Sequence, residues 1–107
     1  MNEYMKETNE ALLHTYNQFP VVLERGEGAY LYDTEGKKYL DFAAGYAVSS
    51  LGYADKELND ALKEQIDKIF HTSNLYYNTA CGKAAEDLKR ITGIDRIFFT
   101  NTGGEAV

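Results

Sequence analysis

Residues 96–107, RIFFTNTGGEAV, carry the strongest indication of the fold. A short apolar run is followed directly by Thr102, Gly103 and Gly104. An apolar run of this length that ends at turn residues is typical of a buried strand. We therefore predict a buried strand over residues 95–101, then a glycine-rich turn, then a helix that begins near Glu105.

The turn at Thr102, Gly103 and Gly104 has two interpretations. Glycines let the backbone approach a ligand closely, and the free N–H groups of a helix N-terminus favour phosphate. The Thr102 hydroxyl adds a further donor. By itself the pattern is more often a plain tight turn than a phosphate site. The local sequence pattern therefore leaves both interpretations open.

Two amphipathic helices are predicted upstream of the strand. The first helix begins after Asp55, a suitable N-cap, and extends to about residue 69. The second helix covers about residues 79–92, and Gly93 lies just past its end. Between them, residues 71–78 show no clear period. The first helix carries an apolar stripe at helical spacing, formed by Leu58, Leu62, Ile66 and Ile69.

The N-terminal half has a different pattern. Residues 2–16 predict a helix that ends before Phe19-Pro20, since proline disfavours helix in the residue preceding it. Residues 28–42, GAYLYDTEGKKYLDF, predict an antiparallel hairpin. Asp33 and Gly36 suit the first and fourth positions of its type I turn. Residues 43–54 predict a short strand followed by a loop.

This change of pattern divides the chain into two parts. Residues 1–54 are expected to form one part of a small domain. Residues 55–107 are expected to supply a connecting helix and an incomplete start of an α/β domain. The hairpin in one part and the helix–strand–turn in the other belong to different architectures, which is why we divide them here.

Composition limits the class of protein. The chain has 107 residues, 44% of them hydrophobic, and a net charge of -6, which is typical of a globular domain and argues against nucleic acid or an anionic membrane as partner. Its single cysteine allows no internal disulfide and fits a reducing compartment. No apolar run is long enough to span a bilayer. His14 and His71 stand without nearby ligand-type residues, so we expect no metal site.

Several ordered motifs together resemble one family, the class III (omega-amino acid) aminotransferases, and most closely its acetylornithine branch. They are TYNQFPV at 15–21, the segment 23–48, FHTSNLYYN at 70–78 and the final strand and turn. The resemblance implies a fold-type I transferase that uses pyridoxal 5'-phosphate, of which this chain is an N-terminal fragment.

The resemblance also implies roles for single residues. Thr102, Gly103 and Gly104 match the family's phosphate-binding turn, through backbone amides and the hydroxyl. Tyr16 matches a tyrosine near the substrate channel, and the alternative is a helix-end aromatic that packs on Phe19.

A loop matches the family's dimer interface, and tyrosine is enriched at such surfaces. Its residues are Asn74, Leu75 and Tyr76. The alternative is an aromatic loop that packs on its own core. A homodimer is the expected assembly.

The chain departs from the family pattern at two places. Gln18 stands where the family often has an arginine that meets a substrate carboxylate, which leaves the substrate open. Tyr53, Asp55 and Lys56 replace a commoner His-x-His-Pro run, which changes a loop and a helix cap. Threonine at 102 keeps the hydroxyl that serine usually supplies.

The chemistry implied by the resemblance needs a Schiff-base lysine, an acidic partner for the pyridine nitrogen and a substrate-binding arginine. In the family all three lie downstream of the phosphate turn, so we expect no catalytic residue in these 107 residues and no activity from them alone. The whole enzyme is expected to be cytoplasmic and to act in arginine biosynthesis. It would transfer an amino group between N-acetylornithine, succinylornithine, ornithine or 4-aminobutyrate and 2-oxoglutarate.

Two other functions compete with this one. The first alternative is a non-catalytic interaction module that keeps the dimerisation surface. The second is a small phosphate-binding domain unrelated to aminotransferases. Solubility and oligomeric state test the interaction module, because a self-sufficient module should be soluble and fold cooperatively. Tight binding of a phosphorylated ligand by the isolated chain discriminates the second.

Overall fold

The computed structural model describes residues 2–107, and these form two compact units, the first ending at Glu64 and the second beginning at Gln65. The assignment of 1–54 and 55–107 to two domains remains a prediction. In chain order the elements of the described residues are α1 Glu3–Ala11, β1 Leu23–Glu27, β2 Tyr30–Asp33, β3 Lys38–Leu40, α2 Ala44–Ala47, α3 Lys56–Lys68, α4 Cys81–Thr92 and α5 Gly103–Ala106.

The predicted hairpin is confirmed as β2 and β3, which pair antiparallel. The Gly36 amide donates to the Asp33 carbonyl at 3.0 Å, as a type I turn requires. One Asp33 carboxylate oxygen accepts from the amides of Glu35 and Lys37, at 3.0 and 2.8 Å. Gly36 has φ of +82°, a backbone conformation that glycine adopts without steric cost. The turn is therefore specified by local residues.

The sheet has a third strand that the sequence analysis missed. β1 pairs antiparallel with β2, so the strand order is β1-β2-β3. Its sequence, LERGE, shows no apolar alternation and gives no strand signal. A side-chain contact across the two strands stabilises β1 instead. The Arg25 guanidinium of β1 lies 3.6 Å from the centroid of the Tyr32 ring of β2, in a cation–π contact.

A tyrosine–aspartate hydrogen bond ties β3 to the turn of the hairpin. The Tyr39 hydroxyl donates to the second carboxylate oxygen of Asp33 at 2.8 Å. This bond lowers the pKa of Asp33, because it stabilises the carboxylate. The same bond raises the pKa of Tyr39, because the phenol must stay protonated to donate. The hairpin is thus closed by ionisable side chains.

The first helix is shorter than predicted. α1 begins after Asn2, whose side chain accepts from the Tyr4 amide, and it ends at Ala11. Leu12 is already extended, with φ of -98° and ψ of 142°, so the prediction of helix over residues 12–16 is wrong. Proline restricts only the residue before it, and it lies too far along the chain to locate this end.

The prediction of a short strand within residues 43–54 is wrong. Residues 44–47 form a tight turn in which every φ is positive, from 47° at Ala44 to 63° at Ala47. Glycine alone adopts this region freely, so three non-glycine residues there indicate support from elsewhere in the fold. That support is described below.

The two later helices are confirmed together with their ends. The Asp55 carboxylate accepts from the Leu58 amide at 2.8 Å and caps α3. Asn78 accepts from the amides of Ala80 and Cys81 and begins α4. Gly93 ends α4 with φ of +73°, and its amide donates to the Lys89 carbonyl.

The predicted buried strand over residues 95–101 is wrong for the described chain. These residues adopt no regular structure, and 86% of Phe98 is exposed. A strand exists through hydrogen bonds to a neighbour, and the sheet of the described residues consists of β1, β2 and β3 alone. Apolar composition therefore indicates the capacity for a strand, and a neighbouring strand decides whether it forms.

No residue of 2–107 is fully buried, and many large apolar side chains are exposed. The stripe of α3 is half exposed, with 53% of Leu62 and 58% of Ile66 open to solvent. A helix gains most of its stability from the packing of such a face. The described residues therefore do not bury a hydrophobic core of their own.

Candidate functional site: the turn at residues 101–105

Thr102 begins α5 through a reciprocal capping box. Its hydroxyl oxygen accepts from the Glu105 amide at 3.2 Å. In return, the Glu105 carboxylate accepts from the amides of Asn101, at 2.7 Å, and Thr102, at 3.2 Å. Three amides around the helix start, those of Asn101, Thr102 and Glu105, are satisfied in this way. The box fixes the backbone of the turn from both sides.

The capping box leaves the glycine amides available. Within residues 2–107, the N–H groups of Gly103 and Gly104 donate no hydrogen bond. A β-carbon built on Gly103 meets no atom within 4 Å, and one built on Gly104 comes no closer than 3.8 Å to the Thr102 hydroxyl oxygen. The Thr102 hydroxyl accepts with its oxygen and keeps its proton for an external acceptor. Three donors are therefore available at the start of α5.

Tyr16 does not lie on a helix. It belongs to the segment that follows α1, and its side chain is 78% exposed. It lines an open cavity of about 420 Å³ in the first unit together with His14, Gln18 and Phe19. His14 Nε2 lies 3.2 Å from Asn17 Oδ1 in the same wall. No lysine or arginine lines this cavity among the described residues.

The loop at residues 74–76 lies in the second unit, between α3 and α4. Leu75 and Tyr76 are 86% and 71% exposed. The Leu75 amide donates to the Ser73 hydroxyl at 3.3 Å, and Ser73 has φ of +65°. The dimer-interface role and the alternative of a loop that packs on its own core both remain predictions. Asn74 lines a cavity of about 300 Å³ with His71 and Asn78.

Other classes of site are absent from the part of the chain that the structure describes. No group of three histidine, cysteine or carboxylate side chains there is close enough to hold a metal ion. Of the helices within residues 2–107, none combines the length and apolarity that crossing a bilayer demands.

The sequence analysis placed Glu105 at the start of the helix but did not predict its role in the capping box. Threonine followed three residues later by glutamate is the signature of a capping box, and TGGE at 102–105 carries it. The second omission is the pair Asp41 and Tyr53, whose side chains join at 2.6 Å. These residues are twelve positions apart, and no local pattern indicates their contact.

Comparison with known proteins defines the class. The family model described as aminotransferase class-III matches residues 12–107. That match covers most of the chain, including the Thr102 turn, the loop at 74–76 and Tyr16. The chain belongs to the class III aminotransferases.

Particular members of the family are close in sequence and in structure. The acetylornithine aminotransferase of Archaeoglobus fulgidus is 48% identical over 105 residues, which are 98% of this chain and 28% of that protein. The crystal structure of the Elizabethkingia anophelis acetylornithine aminotransferase matches with a TM-score of 0.92 at 35% identity, over 96% of this chain and 27% of the other. The ornithine delta-aminotransferase of Plasmodium falciparum matches with a TM-score of 0.92 at 31% identity, over 97% and 27%.

These matches confirm the predicted family and the fold class, the N-terminal portion of a fold-type I transferase. The sequenced chain spans about a quarter of the length of these relatives, 28% of the Archaeoglobus protein and 27% of the Elizabethkingia chain. Each backbone feature described above therefore belongs to a segment that its relatives hold within a chain several times longer.

Proposed function

We propose that this chain is the phosphate-anchoring segment of an aminotransferase that uses pyridoxal 5'-phosphate. The enzyme transfers an amino group between N-acetylornithine, or a related omega-amino substrate, and 2-oxoglutarate, in arginine biosynthesis and in the cytoplasm. One observation carries the proposal. A turn with three available donors, at Thr102, Gly103 and Gly104, lies in a chain that matches class III aminotransferases over residues 12–107.

The chemistry of the turn suits the phosphate of this cofactor. A phosphate dianion accepts several hydrogen bonds, and amides at a helix start supply them without a side chain between. The capping box holds Gly103 and Gly104 in place before the ligand arrives, so little order has to be created on binding. When bound, pyridoxal phosphate supplies the electron sink for amino-group transfer.

Two further roles are proposed for residues outside the turn. Tyr16 contacts the substrate from its cavity wall, where the hydroxyl group and the amide of Gln18 supply neutral polar contacts. The exposed loop of Asn74, Leu75 and Tyr76 packs against a second copy in a homodimer. The exposure of Leu75 and Tyr76 supports this, because large apolar side chains at a loop tip favour burial by a partner.

We further propose that residues 1–107 alone do not transfer amino groups. No lysine here matches the Schiff-base motif of the family, and the described residues bury no core that would exclude water from a reaction. The chain supplies cofactor binding and orientation, while the proton-transfer groups come from elsewhere in the enzyme.

An amino-donor panel tests the proposal. The protein expressed from its gene is supplied with pyridoxal phosphate and 2-oxoglutarate, and glutamate formation is measured with N-acetylornithine, succinylornithine, ornithine and 4-aminobutyrate. We expect the highest kcat/KM with N-acetylornithine. Absence of transfer with every donor, together with a stable soluble assembly, would refute the proposal in favour of an interaction module. Tight binding of phosphorylated ligands other than the cofactor, without transfer, would favour the unrelated phosphate-binding domain.

A further inference from the structure

The turn at α2 holds a backbone conformation that its own residues disfavour. Ala44, Tyr46 and Ala47 have φ of 47°, 60° and 63°, in the left-handed region where a β-carbon collides with the backbone. Within the turn, the amides of Ala47 and Val48 donate to the carbonyls of Ala43 and Ala44, at 3.0 and 2.8 Å. A right-handed turn would form the same pattern of hydrogen bonds without the collision. These bonds therefore do not explain the handedness.

A hydrogen bond between two side chains holds the residues that begin this turn. The Tyr53 hydroxyl donates to Asp41 Oδ2 at 2.6 Å. The other oxygen of Asp41 accepts from the amides of Ala43 and Ala44, at 2.8 and 3.0 Å. The first residues of the turn are thereby held, through Asp41, to the Tyr53 hydroxyl.

The sheet fixes that point. The Tyr53 amide donates to the Gly28 carbonyl at 2.8 Å, and the Tyr53 carbonyl accepts from the Gly28 amide at 2.9 Å. The tyrosine ring lies directly over Gly26 of β1, where a β-carbon would stand only 2.4 Å from Cγ. Tyr53 is therefore anchored to the connection between β1 and β2 by its backbone and by its ring, and its hydroxyl has a defined position.

We propose that the Tyr53 hydroxyl is a conformational clasp, which holds residues 44–47 left-handed by fixing Asp41, whose other carboxylate oxygen binds the first amides of the turn. The clasp orients the exposed side chains on the loop, with Phe42 93% and Tyr46 100% open to solvent. Without the hydroxyl the turn relaxes toward right-handed backbone, and these two aromatic side chains change direction. The inference goes beyond the proposed aminotransferase function and does not depend on it.

Amide hydrogen exchange with residue resolution tests the clasp. In Tyr53→Phe the ring over Gly26 remains and the hydroxyl alone is lost. We expect exchange at the amides of Ala47 and Val48 to accelerate about tenfold, as the loss of a hydrogen bond to a charged group predicts. The amides of Gly28 and residue 53 should keep their wild-type rates, because the bridge to the sheet is unchanged.

Tyr39→Phe is the matched control. It removes a hydroxyl that also binds an aspartate, at 2.8 Å in the hairpin, and we expect it to leave Ala47 and Val48 unchanged. Exchange within twofold of wild type at Ala47 and Val48 in Tyr53→Phe would overturn the clasp. Should that variant also release the Gly28 amide, Asp41→Ala decides instead, because it removes the acceptor of the hydroxyl and leaves Tyr53 intact. Faster exchange confined to residues 44–48 supports the clasp, and an unchanged turn overturns it.

Discussion

Gly103 offers a way to remove one phosphate donor while keeping the turn. The residue occupies the first position of α5, where proline is favoured because its fixed φ suits a helix and its missing N–H has no partner inside the helix. Thr102, the residue before it, is extended with φ of -141° and ψ of 159°, which is the conformation that proline requires there. Gly103→Pro therefore deletes the amide donor and preserves the backbone.

The expected loss follows from the number and kind of the donors. In the proposed site a phosphate accepts from the amides of Gly103 and Gly104 and from the Thr102 hydroxyl, and each such bond to an anion contributes about 1.5–3 kcal/mol. Loss of one bond weakens binding by about ten- to 150-fold. Because the turn is exposed in residues 2–107, water competes for these donors, and we expect the lower end, about tenfold.

Gly103→Ala is the matched control for this experiment. Its β-carbon meets no atom within 4 Å, and it keeps the amide, so binding should remain that of the wild type. Thr102→Ala is a poorer probe, since it removes the helix cap together with the donor.

The dissociation constant of pyridoxal phosphate is measured by titration of the protein expressed from its gene, with inorganic phosphate as competitor. If Gly103→Pro and Gly103→Ala bind pyridoxal phosphate equally well, the Gly103 amide is not a phosphate donor and the reasoning fails. If both variants lose binding together, the loss is caused by the side chain that each substitution adds and not by the missing amide N–H.

Three further predictions concern stability. Asp55→Ala removes the cap of α3 and should lower the free energy of unfolding by about 1 kcal/mol, measured by urea denaturation with far-UV circular dichroism. Gly93→Ala should cost about 1 kcal/mol in the same assay, because alanine disfavours the φ of +73° that ends α4. The pair Asp33 and Tyr39 should make stability depend on pH. The lowered pKa of Asp33 contributes stability that is present above the ordinary value of 3.8 and is lost as pH falls through the lower folded value. The raised pKa of Tyr39 contributes stability that is present below 10.0 and is lost as pH rises through the higher folded value.

Each of these has an outcome that contradicts it. Equal urea midpoints for wild type and Asp55→Ala would show that the cap is replaced by another acceptor. An unchanged midpoint in Gly93→Ala would mean that α4 ends in a different conformation in solution. Asp33→Asn should flatten the acidic limb of the pH profile, and an identical limb in that variant would assign the dependence to other carboxylates.

Local hydrogen bonds explain which elements could be predicted from the sequence. The turn at Asp33 and Gly36, the Asp55 cap and the Gly93 helix end each involve partners within four residues. The capping box of Thr102 and Glu105 is equally local, and its signature was present in the sequence. The ordered motifs of residues 15–107 also carried the family, which the comparison with known aminotransferases confirms.

Tertiary structure decided the elements whose partners lie far along the chain. β1 has no strand pattern and exists because it pairs with β2, while residues 95–101 have the pattern and adopt no strand without a neighbour among the described residues. The left-handed turn at residues 44–47 is linked through Asp41 to Tyr53, which the sheet anchors and which lies twelve residues from Asp41. Periodicity and local propensity report what a segment can form. Contacts between distant residues select which of these forms is present, because only they supply the hydrogen-bond partners that a strand or a strained turn requires.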